Sequence, residues 1–301
     1  MNTAHLQNLF QQARHAYDGG HFEAALNASN QLISLAGARE EFLNIKSMSL
    51  MGLGRLQDAA RTLERALKKN ARSAGLHLNA ARIDLSLAKR RSAKRHALEA
   101  VKLARDQPQV LYQAAVVCRQ TDDLEQALRL IERCQALAPA MVEAWHLQGS
   151  MLIDQGESAR AGKALQQALE IQPLHAKALA DLSRQPNDDD DQDGAGNSRE
   201  ERLRAALRTV AGQSRSAWDR STALFALADL AHRSGDYETA SQFYLEANAA
   251  GASVRPFKLE DWEQKQRTTL AAYSDVKPGG PPGHGAGAPL VFLVGMPRSG
   301  T

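Results

Sequence analysis

The sequence predicts an all-α fold, a superhelical solenoid of antiparallel helix pairs, and three observations support this prediction. Alanine is abundant while aromatic residues make up only 5% of the 301 residues. This bias favours closely packed helices, because alanine has the best helix propensity and aromatic residues prefer strands. An alanine recurs every 34 residues along the first half of the chain, and a second small residue stands twelve positions before each of these alanines.

The 34-residue period divides the chain into units of two helices each. A small side chain at one fixed point in each helix allows the two helices of a unit to approach closely. We predict five regular units over 6–175 and a sixth over 221–254, with turns marked by Gly20, Gly54, Asp122 and Gly156. The small residues are Ala13, Ser47, Ala81, Ala115 and Gly149 in the first helices, and Ala25, Ala59, Ala93, Ala127 and Ala161 in the second helices.

The segments around these units have different predicted roles. An irregular unit over 176–220 contains an acidic stretch over 185–198 that we predict to be a disordered loop, since it cannot bury enough apolar surface to fold. A helix over 255–273 is predicted to cap the end of the stack. Residues 274–288 are rich in glycine and proline and read as a flexible linker. The pattern of paired helices resembles the tetratricopeptide repeat.

Composition excludes several function classes. A net charge of +3 is too small to argue for nucleic-acid or membrane binding. The start of the chain has neither the basic stretch nor the apolar core of a secretory signal, so we expect a cytoplasmic protein. Cys118 and Cys134 lack metal-type spacing and are predicted to be small buried hydrophobes. No metal site is predicted, and the oligomeric state is not readable.

Residues 289–301 differ in kind from the repeats. Leu290 to Val294 form an unbroken apolar run, typical of a strand in a parallel sheet. Gly295 and Gly300 then bracket a tight turn whose backbone NH groups suit an anion, and Arg298 adds a guanidinium for oxyanions. The spacing approaches that of the nucleoside triphosphatase loop, but Thr301 stands in the position of its lysine, which disfavours that class.

This segment resembles the opening of a sulfotransferase domain, whose first strand and loop read Pro-x-Phe-x-Val-Gly-x-Pro-Arg-Ser-Gly-Thr. The resemblance implies an orphan first strand and loop of an α/β sulfotransferase domain, with 3'-phosphoadenosine 5'-phosphosulfate as the sulfuryl donor. It implies that the donor site includes Gly295, Pro297, Arg298, Ser299, Gly300 and Thr301. The catalytic base and the 3'-phosphate contacts would follow Thr301, so no catalytic residue is assigned and the chain alone is expected to be inactive.

The whole arrangement resembles bacterial-type proteins in which tetratricopeptide repeats precede a domain related to tyrosylprotein sulfotransferases. The resemblance implies transfer to an acceptor hydroxyl, such as that of a protein tyrosine. It also implies a peptide or protein partner in a concave groove formed by the first helices. The groove side chains that it implies come from the second, fifth, ninth, twelfth and thirteenth positions of each unit. They include Phe10, Arg14, Tyr17, Asn44, Met48, Leu78, Arg82, Tyr112, Arg119, His146 and Asp154.

Two alternatives stay open from sequence. The third unit, 74–107, carries eight basic and three acidic residues, a net of +5. It would attract acidic acceptor peptides, or it would be a solvated face or a partner for the chain's own aspartate run in 188–193. For the whole chain, the alternative to a sulfotransferase is a non-catalytic protein-interaction scaffold.

Overall fold

The computed structural model describes residues 3–185 and 195–254 and, in part, 259–267, where 259–260, 262–264 and 266–267 are helical. It divides into two compact units, Met1–Val254 and Arg255–Thr301. The described residues contain fourteen α-helices and no strand, which confirms the all-α prediction. The helices are α1 Thr3–Asp18, α2 Phe22–Ala36, α3 Glu40–Gly52, α4 Leu56–Lys69, α5 Ala74–Ser86, α6 Arg90–Leu103, α7 Pro108–Gln120, α8 Leu124–Leu137, α9 Val142–Asp154, α10 Ser158–Ile171, α11 Ala176–Arg184, α12 Ala195–Gln213, α13 Ala217–Arg233 and α14 Tyr237–Val254.

The turn inside each regular helix pair is set by one residue with a positive φ angle. Gly20, Gly54 and Gly156 have φ of 74°, 73° and 77°, and Gly235 in the last pair has 81°. Glycine lacks a Cβ, so it reaches this left-handed region without steric cost. At the corresponding positions of the third and fourth pairs stand Ala88 (φ 57°) and Asp122 (φ 63°), which shows that the geometry of the turn is kept where the glycine is lost.

The predicted packing role of the small residues is confirmed. Ala13, Ser47, Ala81 and Ala115 in the first helices, and all five alanines of the second set, have no exposed surface. Gly149 is a tighter case, because a Cβ added there would lie 2.7 Å from Leu165 Cγ. Close approach of the two helices of a pair therefore depends on these positions.

Adjacent pairs are joined mainly by contacts between the second helix of one pair and the first helix of the next, such as α2 with α3 and α6 with α7. Each of α1, α3, α5, α7 and α9 contacts the next first helix along the chain, whereas successive second helices such as α2, α4 and α6 do not contact one another. We call the surface formed by α1, α3, α5, α7, α9, α11 and α13 the first-helix face, and that formed by α2, α4, α6, α8 and α10 the second-helix face. Both faces are open in places: the first-helix face between α5 and α7, and the second-helix face between α2 and α4 and between α4 and α6.

The sixth pair is irregular. Its first helix, α11, has nine residues and its second, α12, has nineteen. Composition predicts that the stretch 185–198 is a disordered loop. Helix α12 begins at Ala195, so the last four residues of this stretch are helical. The aspartates of that stretch all precede Ala195 in the sequence. Residues 186–194 lie outside the described part of the chain.

The structure tests only some of the remaining predictions about helix ends and about the segments after the last helix pair. Pro139 and Pro173 follow the ends of α8 and α10, as proline after a helix end predicts. The predicted cap over 255–273 is described only at the helical residues between 259 and 267, and 274–301 lie outside the described residues. Within the described residues, no helix combines the length and apolar character needed to cross a lipid bilayer.

Candidate functional site

The first-helix face contains a cavity of about 530 Å³ between α5 and α7, with Met51 of α3 at one side. Its lining is largely apolar, and Arg82 is the one charged residue among the residues that line it. Three residues of the predicted groove, Leu78, Arg82 and Tyr112, meet here. The full lining is Met51, Leu78, Arg82, Leu85, Ser86, Tyr112, Gln113, Val116, Val117 and Gln120.

The polar groups of this pocket can orient an extended ligand. Arg82 is exposed, and it forms no ion pair with any residue in the described part of the chain. Tyr112 is half-buried, and burial, assisted by the nearby Glu143, raises the pKa of its hydroxyl, so the group stays protonated. Gln113 and Gln120 add amide donors and acceptors at the wall. Apolar walls with a few fixed polar groups are typical of a peptide-binding pocket.

Other predicted groove residues instead form hydrogen bonds between neighbouring first helices. Arg119 of α7 donates to Asp154 Oδ2 of α9 at 2.7 Å and to Ser150 Oγ at 2.9 Å. His146 Nε2 lies 3.0 Å from Asp181 Oδ2 of α11. These side chains lie on the expected face, but their polar atoms are already paired.

The same bonding extends to both ends of the face. Asn79 Nδ2 donates to Asn44 Oδ1 at 3.0 Å, which links α5 to α3. Arg184 Nε donates to Asp229 Oδ2 at 3.1 Å, which links α11 to α13. The first helices are therefore held in register by a series of polar contacts, and the cavity lies where this series leaves an apolar gap between α5 and α7.

The predicted groove residues at the start of the array have mixed roles. Phe10 packs against Phe42 with ring centroids 5.8 Å apart, and Tyr17 packs against Phe22 at the same separation. Met48 is only 6% exposed. Arg14 is exposed and, like Arg82, has no ion-pair partner among the described residues. The aromatic residues and Met48 therefore belong to the core, and Arg14 alone of this group is available to a ligand.

The positional rule for the groove also covers pocket residues that the sequence analysis did not single out. Met51 and Leu85 occupy the twelfth position of their units, Ser86 and Gln120 the thirteenth, and Val116 the ninth. Applying the rule to every unit would have found these five. Gln113 and Val117 lie outside it, because they reach the pocket only through the packing of α7 against α5.

The basic residues of the third unit have two kinds of surroundings. Arg90 forms an ion pair with Asp122, and Lys94 Nζ lies 2.5 Å from Asp123 Oδ2, so both bridge to the next turn. These partners are not the aspartate run of 188–193, which lies outside the described residues, so pairing with that run stays a prediction. Lys89 and Arg95 instead line a crevice on the second-helix face.

The cysteines are confirmed as buried hydrophobes. Cys118 and Cys134 are free thiols with no exposed surface. Burial raises the pKa of Cys118 to about 11 and raises that of Cys134 as well. Among the residues that the structure describes, no group of three or more His, Cys, Asp or Glu side chains is arranged to hold a metal ion.

The predicted donor-site residues, Gly295, Pro297, Arg298, Ser299, Gly300 and Thr301, all lie outside the described residues. Their assignment to 3'-phosphoadenosine 5'-phosphosulfate therefore stays a prediction from sequence.

Comparison with protein-family models gives matches to the tetratricopeptide repeat in four places. One model matches residues 10–74, 46–85 and 112–176, and a second, with the same description, matches residues 221–249. No match is found among curated proteins.

Among solved structures, the chain is similar to several helical repeat proteins. A tetratricopeptide repeat protein from Parabacteroides merdae has a TM-score of 0.58 and 13% identity, over 88% of this chain and 98% of that protein. Pseudomonas aeruginosa pilF has a TM-score of 0.52 and 17% identity, over 75% and 96% of the two chains. A thermophilic TPR protein from Thermus thermophilus has a TM-score of 0.51 and 16% identity, over 57% and 94%. At these identities the likeness shows the fold alone.

Proposed function

Because this chain belongs to the tetratricopeptide repeat proteins, we propose that it is a protein-interaction scaffold that binds a peptide segment of a partner on its first-helix face. The observation that carries this proposal is the cavity of about 530 Å³ between α5 and α7. Repeat arrays of this kind offer extended binding surfaces, because each pair presents the same face to solvent.

The chemistry of the cavity indicates the kind of peptide. Leu78, Leu85 and Val116 provide an apolar surface for one large hydrophobic side chain of the ligand. Arg82, as the one charge in the lining, favours an acidic group next to that anchor. The ligand that fits best is therefore a short segment with one apolar anchor and one neighbouring carboxylate.

A random peptide library displayed on phage tests this proposal. We expect selection on the 301-residue chain to enrich peptides with an apolar anchor beside Asp or Glu. The tightest peptide is then measured by isothermal titration calorimetry against two variants. Arg82→Ala removes the cation, and Ser86→Phe fills the cavity from an exposed position.

Both variants are expected to weaken binding, by about fivefold for the loss of one partly exposed charge contact and by more for the filled cavity. The matched control is Arg208→Ala, which removes an exposed arginine from α12, away from the cavity. If no sequence is enriched, or if all three variants bind like the wild type, the first-helix face is not the binding surface.

A second candidate function, sulfuryl transfer by the complete protein, rests on the sequence of residues 289–301. The specific observation in its favour is the run Val-Gly-Met-Pro-Arg-Ser-Gly-Thr at 294–301, and neither family model extends to it. In this proposal Arg298 and the loop NH groups would bind the 5'-phosphosulfate of the donor, and the repeats would hold the acceptor or a partner protein.

The gene sequence beyond codon 301 tests this second proposal directly. We expect it to encode a helix and then roughly two hundred further residues of alternating strand and helix pattern, as a domain of that class requires. A stop codon or an unrelated sequence would remove the enzymatic proposal and leave the scaffold.

A further inference from the structure

The second-helix face has two crevices that repeat with the period of the array. One lies between α2 and α4 over α3, with a volume of about 360 Å³, and the other lies between α4 and α6 over α5, with about 440 Å³. Both exist because successive second helices do not contact one another. We call them the first crevice and the second crevice.

Two cations recur at the same place in both crevices. Arg55 and Arg61 line the first, and Lys89 and Arg95, each 34 residues later, line the second. The residue that stands between the two cations in the sequence has a different charge in the two crevices. It is Asp58 in the first crevice and Ser92 in the second.

In the first crevice the two cations hold the carboxylate of Asp58. Arg55 donates to Asp58 Oδ2 from Nη2 at 2.8 Å and from Nε at 3.0 Å, and Arg61 Nη2 donates to Oδ1 at 2.5 Å. These bonds, first from Arg61 and then from Arg55, lower the pKa of Asp58. The arrangement shows that side chains at these two positions can converge on one carboxylate.

The second crevice has the cations without that carboxylate. Arg95 Nη2 reaches only the neutral Ser92 Oγ, at 3.3 Å, and no ion pair joins Lys89 or Arg95 to an acid in the described part of the chain. Glu64 and Asp84 also line this crevice, and Asp84 Oδ2 lies 3.9 Å from His96 Nε2. Lys68 adds a third cation.

We propose that the second crevice binds an acidic side chain of a partner peptide between Lys89 and Arg95, in the place that Asp58 occupies in the first crevice. Ala60 and Leu67 are partly exposed beside these cations and would contact a neighbouring apolar side chain of the same peptide, while Leu63 and Ile83 are buried beneath them. This site shares only α5 with the pocket of the proposed function, is lined by different residues of that helix and does not depend on the pocket.

An acidic peptide fits this crevice better than a nucleic acid does. No Phe, Tyr or Trp lines it, so it offers no aromatic platform for stacking bases. A net charge of +3 for the chain also gives little long-range attraction for a polyanion. Its cations beside partly exposed apolar side chains instead suit a peptide that carries an acidic and an apolar side chain.

The test uses the 301-residue chain and a fluorescein-labelled peptide of alternating Asp, Leu and Glu, with an Asn, Leu and Gln peptide as its neutral control. Fluorescence anisotropy is measured at low ionic strength, where the Debye length is about 30 Å, and near physiological salt, where it is about 8 Å. We expect only the acidic peptide to bind, and Lys89→Ala combined with Arg95→Ala to weaken it by about tenfold.

The decisive variant is Ser92→Asp, which gives the second crevice its own carboxylate. We expect it to weaken binding by about tenfold, because the new carboxylate would pair with Lys89 and Arg95 as Asp58 pairs with its arginines. The control Ser241→Asp adds the same charge at an exposed position of α14 and should leave the affinity unchanged. Because the probe peptide also has the chemistry expected of the first-helix ligand, these measurements are repeated in the Arg82→Ala background, which removes the cation of that pocket and leaves the residues of the second crevice in place.

Three results would overturn the proposal. The first is wild-type affinity in Ser92→Asp with an unchanged far-UV circular dichroism spectrum. The second is an equal loss in Ser92→Asp and Ser241→Asp, which would mean that only net charge matters. The third is displacement of the peptide by oligothymidylate of equal charge at a lower concentration than unlabelled peptide, which would identify a nucleic-acid surface.

Discussion

Replacement of Ala88 by glycine is expected to stabilise the protein, against the usual effect of such a change. Ala88 has φ of 57° in the turn between α5 and α6, where the other pairs use glycine at φ of 73° to 81° or, once, Asp122. A residue with a Cβ loses about 1–2 kcal/mol in this left-handed conformation. Glycine removes that cost, but it lowers the free energy of unfolding by about 0.5–1 kcal/mol because the unfolded chain has greater entropy. The net expected stabilisation is about 0.5–1 kcal/mol.

The reverse change at the equivalent turn provides the matched comparison. A Cβ built on Gly54 meets no atom within 4 Å, so Gly54→Ala changes only the backbone preference. We expect it to destabilise the protein by about 0.5–1 kcal/mol, the same magnitude with the opposite sign. Ala205→Gly, at an exposed position of the α12 helix, controls for the general cost of glycine and should destabilise by about 1 kcal/mol.

Urea denaturation followed by far-UV circular dichroism measures all three variants. The midpoint should rise for Ala88→Gly and fall for Gly54→Ala and Ala205→Gly, and midpoints are compared because repeat arrays do not always unfold in one step. These expectations assume that helix packing imposes the positive φ angle at this turn, and that a residue with a Cβ adopts it at a cost. A lower urea midpoint for Ala88→Gly than for the wild type, or an unchanged midpoint for Gly54→Ala, would refute the reasoning.

The packing and protonation of the core give three further predictions. Ala115→Leu should destabilise by about 1–3 kcal/mol in urea titrations, because Ala115 has no exposed surface and no space for a larger side chain; Ala205→Leu is its exposed control and should be nearly neutral. Burial, and then the neighbouring histidine, lower the pKa of His96 and of His175, so the folded state prefers both rings neutral. Stability should therefore be complete above the unfolded histidine pKa of about 6.5 and fall as the pH drops below it, and a thermal midpoint that does not fall with pH would contradict this. Native Cys118, with its pKa raised to about 11 by burial, should resist iodoacetamide at neutral pH until urea is added; rapid labelling of the folded chain, read by mass spectrometry, would show that the thiol is accessible.

The helix pairs could be predicted in detail because their signal is local in the sequence. Alanine at Ala59 and its equivalents recurs every 34 residues, and each such residue packs within its own pair. The turn at Ala88 was missed, because alanine carries no signal for a positive φ angle. The period alone would have located it, since the turn residues of the neighbouring units stand 34 positions away on either side.

The site could be predicted only as a face. The groove positions implied by the repeat placed Leu78, Arg82 and Tyr112 together, and the structure joins them in one cavity. The same rule gave equal weight to Arg119, yet Arg119 is bonded to Asp154. Whether a polar side chain is free or paired depends on a residue in the next unit, and no local pattern reports that pairing.

The sequence by itself therefore determined the class of fold, the 34-residue period of the first five helix pairs and the small residues at their contacts, because these follow from helix propensity and from packing within a unit. Only the tertiary structure decided which cations are paired and where the cavity opens. It also decided that the cations beside Asp58 are bonded to a carboxylate, whereas, among the described residues, those beside Ser92 are not. The physical reason is that these properties arise between units, from contacts such as Arg119 to Asp154 or Arg90 to Asp122, whose members are 35 and 32 residues apart. Their partners are fixed by how one helix pair rests on the next.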